Sequence, residues 1–478
     1  MGTIITVLVV ALATWLIAHV VHRRRTHARF KMRTWIAALL AAVLTAFAGI
    51  LMVNLSSPDK QIAHDVNSSY GVDDPQFDRV MGNLLGPTLV NGNRIQTLVN
   101  GDEFFPAMLH DIRHAKKTLT FEMFVYWKGE TGRVFADAVS ERARAGVRCH
   151  VLLDYVGSKK MDKKLIEQMK AAGAEVEIYH PLSWYTIDRI NNRTHRKIIV
   201  VDGVIGYTGG AGIGDEWTGD AQDANHWRDS HFRFEGPVVG QLQTAFMDNW
   251  LKTKSEVLHD VTYFPRIDWI TSVSLNTTAA LATAPQTSGT ALITEVRAQS
   301  FKSSSEDGSE NARLMFLLAV ACARKSILIE NSYFVPDDIC VDALVKALKR
   351  GVTVEILVPG PITDEKLVRQ AGRSLYDKLL LAGAKIYEYR PTFMHAKVLV
   401  IDGFFSSVGS VNLDERAFHL NDENNVNVYD REFARQQEEI IREDIKRGGK
   451  QYTLEQWRNR TWKDKLKERY ARMFRTQL

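Results

Sequence analysis

Twice in this chain, a histidine and a lysine two residues apart open a short apolar run that closes on Asp-Gly. The copies read His195-Arg-Lys197-Ile-Ile-Val-Val-Asp202 and His395-Ala-Lys397-Val-Leu-Val-Ile-Asp402. β-Branched apolar runs of this length predict buried strands, and alternation along a strand puts imidazole and ammonium on one face. Because the run buries the strand, the polar pair has to stand at its mouth. Two such strands brought together place two imidazoles and two ammoniums around one anion, which is what chemistry on a phosphodiester needs. Asp202 and Asp402 complete the motifs, but alternation turns them away from the His-Lys pair. Scaffolding or ion pairing is the role expected of them.

The motif sits in a longer internal repeat. Leu119-Thr-Phe-Glu122 and Ile327-Leu-Ile-Glu330 are predicted strands, each followed by a helix. Gly146-Val-Arg-Cys-His-Val-Leu-Leu-Asp154 and Gly351-Val-Thr-Val-Glu-Ile-Leu-Val358 follow, then Ala172-Gly-Ala-Glu-Val-Glu-Ile-Tyr179 and Ala382-Gly-Ala-Lys-Ile-Tyr-Glu-Tyr389. Strand, helix, strand, helix, strand with short apolar strands predicts two α/β layers of similar build around largely buried sheets. Downstream of each motif the chain turns through glycine, Gly209-Gly210-Ala-Gly212 in one half and Gly409-Ser410-Val-Asn412 in the other. Such turns bring backbone N–H groups close to a phosphate, and Asn412 adds an amide donor. A carboxylate then recurs, Asp229 in Trp227-Arg-Asp-Ser and Glu423 in Asn421-Asp-Glu-Asn. On the far imidazole nitrogen it would fix the tautomer and stabilise the cation. Glu122 and Glu330, matched on their strands, suggest a shared buried pairing of structural use.

Charge is uneven along the chain. The net value is +5, yet residues 1–60 hold seven basic side chains against Asp59 alone, so the remainder is close to neutral. A near-neutral body argues against a nucleic acid partner, whose backbone calls for a basic groove. Thr3–Val21 and Trp35–Leu55 are uncharged runs of about 19 and 21 residues, each long enough at ~1.5 Å per residue to cross a ~30 Å hydrocarbon core. The basic loop between them, His22 to Arg33, predicts a two-span anchor with that loop in the cytoplasm and both flanks on the far side. Residues 59–94 read as a spacer. The Ser/Thr-rich 257–300 reads as a linker, and 451–478 as a basic amphipathic tail, suited to anionic lipid or to packing on the body. Leu182–Arg193 is an aromatic- and Arg-bearing insertion absent from the second half. Cys149, Cys322 and Cys340 have no metal-type spacing and read as buried apolar residues. His226, His231 and His419 read as solvated or hydrogen-bonded bystanders.

The doubled motif with its Gly-Ser-x-Asn turn resembles the phospholipase D superfamily. The two-span anchor and the sequence around both motifs resemble the bacterial cardiolipin synthases within it. The resemblance covers about residues 95–450. It implies an α/β fold of two pseudo-symmetric α/β/α sandwich halves, 95–256 and 301–450, behind a two-helix membrane anchor at 1–58. It implies an enzyme of the bacterial inner membrane, with its catalytic part on the non-cytoplasmic side, that makes cardiolipin from phosphatidylglycerol by covalent two-step transfer without metal or cofactor. On that analogy His195 attacks phosphorus and His395 serves as acid, then base, or the two histidines exchange these roles. Lys197, Lys397 and Asn412 bind the non-bridging oxygens, with Gly210, Gly212 and Ser410 lining the substrate site and Asp229 and Glu423 in support. The alternatives on the same fold are a phospholipase D that delivers the intermediate to water, and a nuclease. The family usually has Asn where this chain has Gly212, so the halves should bind phosphate unequally.

Overall fold

The structure is a computed structural model that describes Trp15, Ile62 and residues 39–45, 64–181, 191–266, 290–304 and 310–475. It divides into two units. Of the smaller (1–59 with 180–192), residues 39–45 are helical and expose Leu39, Leu40, Val43 and Leu44. The two predicted membrane spans lie mostly outside the described residues, which include only Trp15 of the first and 39–45 of the second, as does most of the 182–193 insertion. Among the described residues no helix is long and apolar enough to cross a membrane.

The larger unit (60–179 with 193–478) is built on a single 16-stranded mixed sheet in which the repeat becomes a pseudo-two-fold. From the centre outward the first half runs Val90–Val99, Ser230–Glu235, Ile205–Gly209, Lys197–Val201, Thr118–Met123, Arg148–Asp154 and Glu175–Tyr179. The second half runs in the same sense through Ile293–Ser303, Asn421–Tyr429, Phe405–Gly409, Lys397–Ile401, Ser326–Asn331, Thr353–Pro359 and Lys385–Tyr389, with Gly449–Tyr452 added at its edge. The outer three strands of each repeat are parallel, as the intervening helices require, and the motif strand pairs antiparallel with the first of them. Helices Val238–Lys254 and Arg431–Gly448 cover one face of the sheet. The core beneath them is shared by both halves, with Phe232 packed on Phe433.

The halves are joined by the antiparallel pair Val90–Val99 and Ile293–Ser303, whose register shifts twice. The spacer at 59–94 holds helix Pro75–Leu85, which buries Phe77, Met81 and Leu85 in the second half's core, and it supplies the first half of a seam strand. The linker likewise ends inside the other seam strand.

Asp202 and Asp402, although part of the motif, stand at the far end of its strand from the histidines, in the scaffolding place that alternation predicts. Asp202 accepts from the backbone N–H groups of Lys116, Lys117 (2.7 Å) and Thr118 (2.9 Å). Asp402 accepts from Arg324 (2.8 Å), Lys325 (2.7 Å) and Ser326 (2.8 Å). Each carboxylate gathers three consecutive donors at the start of the neighbouring strand and so fixes where that strand begins. Hydrogen bonds to a charged acceptor contribute ~1.5–3 kcal/mol each. Asp402→Ala is therefore expected to lose roughly 3 kcal/mol or more of stability. Thermal unfolding checks this, with the folded fraction keeping most of its activity.

Candidate active site

The two histidines lie just before their strands, and each is held by the opposite half. The short strand Arg193–Thr194 pairs with Asn421–Tyr429, and the His195 N–H donates to the Asp422 carbonyl at 2.8 Å. In mirror fashion Met394 bridges Arg228, and the His395 N–H donates to the Arg228 carbonyl at 2.7 Å. These backbone contacts put each imidazole beside the next residue of the other half. His195 Nδ1 is 2.9 and 3.0 Å from the Glu423 oxygens, and His395 Nδ1 is 2.8 Å from Asp229 Oδ2. Each half thus lends its carboxylate to the other half's histidine, which ties the two into one site. With Nδ1 engaged, Nε2 of each ring is the nitrogen available for chemistry.

The lysines complete the cluster. Lys197 Nζ donates to its own histidine's carbonyl at 2.8 Å; Lys397 Nζ does the same at 2.6 Å and lies 3.0 Å from both His395 ring nitrogens. All four motif side chains are buried. Burial first, then the charge of Lys397, lowers Lys197 to about 7, while burial lowers Lys397 to about 8. Burial and Lys397 bring His395 down to about 4, and burial with both lysines holds His195 well below the usual imidazole range. Two ammoniums depressed by burial, Lys197 also by the charge of Lys397, describe a site whose positive charge suits an anion.

The two carboxylates differ. Burial raises Glu423 to about 7. Burial pushes Asp229 upward too, but the adjacent His395 and Lys397 overcome it and leave Asp229 at about 2. Their hydrogen bonds differ as well. Ser410 Oγ donates to Glu423 Oε2 at 2.5 Å, whereas Trp217 Nε1 donates to Asp229 Oδ2 at 2.8 Å.

The glycine turns do less phosphate binding than their sequence suggests. The N–H groups of Gly210 and Ser410 are spent on the carbonyls of Ser230 and Asn424, and the Ser410 hydroxyl positions Glu423. A Cβ at Gly210 would run into Asp229 Oδ1 and lie 2.7 Å from the His395 carbonyl oxygen. Glycine is needed there to admit the carboxylate. A Cβ at Gly212 would lie 2.7 Å from Val125 Cβ, so the family's asparagine does not fit this backbone without displacing strand-end packing. Asn412 has its amide oxygen fixed by Ser332 Oγ at 2.9 Å, which turns Nδ2 away from that hydroxyl. Gly210→Ala is expected to lower turnover about 100-fold by displacing Asp229 from His395, the scale of a misplaced catalytic group. Steady-state kinetics on the folded variant check this.

Sequence reasoning missed an aromatic collar. Phe124 stands 5.0 Å from the His195 ring; Phe393, Trp217, Trp227 and Tyr333 stand 5.4–6.4 Å from that of His395. Trp227, two residues before the recurring carboxylate, was the one signal available. Glu122 and Glu330 are fully buried. Glu122 accepts from Thr194 Oγ1 and Asn249 Nδ2 behind His195, and Glu330 lies 4.0 Å from Arg228. His231 is neither solvated nor hydrogen-bonded: it is fully buried, its ring nitrogens have no hydrogen-bond partner among the described residues, and burial lowers it to about 3.

A family model described as cardiolipin synthase, phospholipase D-like domain, matches residues 108–250 and 318–445, one match in each half. The chain is 32% identical over 382 residues to the major cardiolipin synthase ClsA of Bacillus subtilis (strain 168), covering 80% of this chain and 74% of that protein. It is 33% identical over 351 residues to cardiolipin synthase 2 of Bacillus cereus, covering 73% of this chain and 64% of that one. Among solved structures, the phosphatidylserine synthase of Haemophilus influenzae Rd KW20 shares the fold, with a TM-score of 0.60 at 17% identity over 84% of this chain and 99% of that chain. By the matches in both halves and the identity to these synthases, this chain belongs to the cardiolipin synthase family of phospholipase D-like proteins.

Proposed function

We propose that the protein is a membrane-associated phosphatidyltransferase that makes cardiolipin from two molecules of phosphatidylglycerol, releasing glycerol. The observation that carries this reading is the exchange of carboxylates between halves, which orients two imidazoles and two lysines as one cluster. In the first step His195 Nε2 attacks phosphorus, the bond to the glycerol oxygen breaks, and His395 passes a proton to the departing alkoxide. In the second step neutral His395 takes the proton of the incoming hydroxyl, whose oxygen displaces His195 from phosphorus.

The difference between the carboxylates supports this division of labour. Asp229, held at about 2, is a full negative charge and stabilises an imidazolium at His395, as an acid requires. Glu423, near 7, favours a cation on His195 less and leaves its lone pair available for attack. Burial depresses His395 most and the charge of Lys397 adds to it; a phosphodiester bound between Lys197 and Lys397 offsets that charge and favours proton uptake by His395 with substrate. The lysines and Asn412 stabilise charge on the non-bridging oxygens.

Purified protein given phosphatidylglycerol is expected to yield cardiolipin and glycerol in equal amounts, with EDTA present and no divalent metal added. Lipid analysis that finds phosphatidic acid alone would make the protein a hydrolase; a plasmid nicked without lipid turnover would make it a nuclease. The two N-terminal spans would hold the cleft at the bilayer, on the non-cytoplasmic side of a bacterial inner membrane. An alkaline phosphatase fused after residue 60 should then be active.

A further inference from the structure

The C-terminal helix Trp462–Arg472 is fixed to the body by one face only. Its Ala471 and Glu468 are buried, and Glu468 accepts from Arg460 (2.6 Å) with Arg373 at 3.4 Å. At about 100° per residue the opposite face carries Trp462, Leu466, Tyr470 and, just beyond the helix, Met473. These four are 69%, 59%, 57% and 76% exposed, too much apolar area to leave wet without a reason. Lys463 and Lys467 border the stripe on one side, and Lys465, Arg469 and Arg472 on the other, all exposed. The helix's acids are turned away from this surface: Glu468 is buried and Asp464 is half-buried, its carboxylate bonded to Thr461.

The helix also stands beside the second half of the site. Arg475, just past its end, donates to Glu415 at 2.7 Å, and Glu415 opens the short helix Glu415–His419, which begins three residues after Asn412. Along its length the helix packs on Lys366–Arg373. That element follows Asp364, whose carboxylate accepts from the Tyr333 hydroxyl at 2.6 Å in the aromatic collar.

We propose that this exposed Trp462–Leu466–Tyr470 face docks on an anionic lipid surface and seats the second-half side of the cleft against it. Tryptophan and tyrosine suit the zone where apolar and wet layers meet. Lysines and arginines flanking the stripe on both sides are the charge pattern of a helix lying on anionic headgroups, and the three lysines among them are of a type depleted at protein interfaces. The proposal rests on the reading that the substrate is a membrane phospholipid. It assigns a contact separate from the two N-terminal spans, one that orients the cleft where the spans only tether it.

The test uses the full chain in proteoliposomes. Bromine-labelled phosphatidylglycerol should quench a component of tryptophan fluorescence that is missing in Trp462→Phe, and bromine-labelled phosphatidylcholine alone should not. The double variant Leu466→Asp, Tyr470→Asp should turn over bilayer phosphatidylglycerol about tenfold more slowly and match wild type on a monomeric short-chain phosphatidylglycerol. Equal quenching of wild type and Trp462→Phe overturns the proposal, as does equal quenching by the neutral lipid. Concentration-dependent self-association that the double variant abolishes, with bilayer turnover unchanged, assigns the face to a second copy instead. Should no cardiolipin form on any substrate while the Trp462 component is still quenched, the docking stands and the proposed reaction falls.

Discussion

His195→Ala is expected to lower turnover of phosphatidylglycerol by roughly 10⁴-fold or more, and His395→Ala by roughly 10²–10⁴-fold, because on the proposed mechanism one removes the nucleophile and the other a general acid. The two losses are separable. A phosphodiester with a p-nitrophenolate leaving group needs no proton at departure, so His395→Ala should release one equivalent of nitrophenol in a rapid burst and then stall. His195→Ala should give no burst. A burst from His195→Ala alone would exchange the two roles, and near-normal steady-state activity in either variant would remove the site. Stability should separate the variants as well. Glu423, already near 7, can take a proton when His195 is lost. Asp229 keeps the Trp217 and Ser230 N–H donors but loses the partner that lowers it most. His395→Ala should therefore melt at the lower temperature.

The parts of this site that sequence made legible are those carried by local pattern. A β-branched run after His-x-Lys can scarcely be other than a buried strand, and its doubling within a repeat predicted two equivalent halves. Seven-residue spacing put Asp202 and Asp402 on the wrong side of their strands for chemistry, and the structure gives each three backbone donors instead. What stayed hidden depends on contacts between distant segments. Asp229 and Glu423 were visible as a recurring carboxylate, but that each serves the other half's histidine follows from pairing across the two-fold, which leaves no mark in either repeat. The seam strand Val90–Val99 was concealed because Asn91-Gly92-Asn93 breaks its apolar alternation where its register shifts. At Gly210 the sequence signalled freedom of the backbone, whereas what matters is the absence of a side chain beside a carboxylate. Trp217 carried no signal at all, since its single hydrogen bond to Asp229 depends on tertiary packing.

Lys197→Met is expected to cut activity about 10³-fold, the scale of losing one donor to a developing oxyanion, while making the protein more stable. Lys197 ionises near 7 in the folded protein, by burial first and then by Lys397, against 10.5 for an unperturbed lysine. Below pH 7 folded and unfolded chains both hold the proton, and the fold bears the full desolvation of a buried ammonium. Between pH 7 and 10.5 the unfolded chain binds more protons, so this residue's contribution to stability improves as pH rises. Glu423 acts in the opposite sense below that range: raised from 4.5 to about 7, it binds more protons when folded, and its contribution is lost as pH climbs to 7. Activity must follow the other course. On the proposed mechanism, deprotonating Lys197 and Lys397 removes the charge that holds the phosphate, so kcat/KM should fall above pH 7–8, just where the fold gains. Bound phosphodiester raises both lysines, so the same limb in kcat should lie at higher pH. At pH 6, where wild-type Lys197 is charged, the methionine variant should show its largest gain in melting temperature. That gain should shrink toward pH 9. A variant that melts below wild type at pH 6, or a kcat/KM profile flat to pH 10, would mean that the two lysines are not the strained, anion-seeking pair on which the site is built.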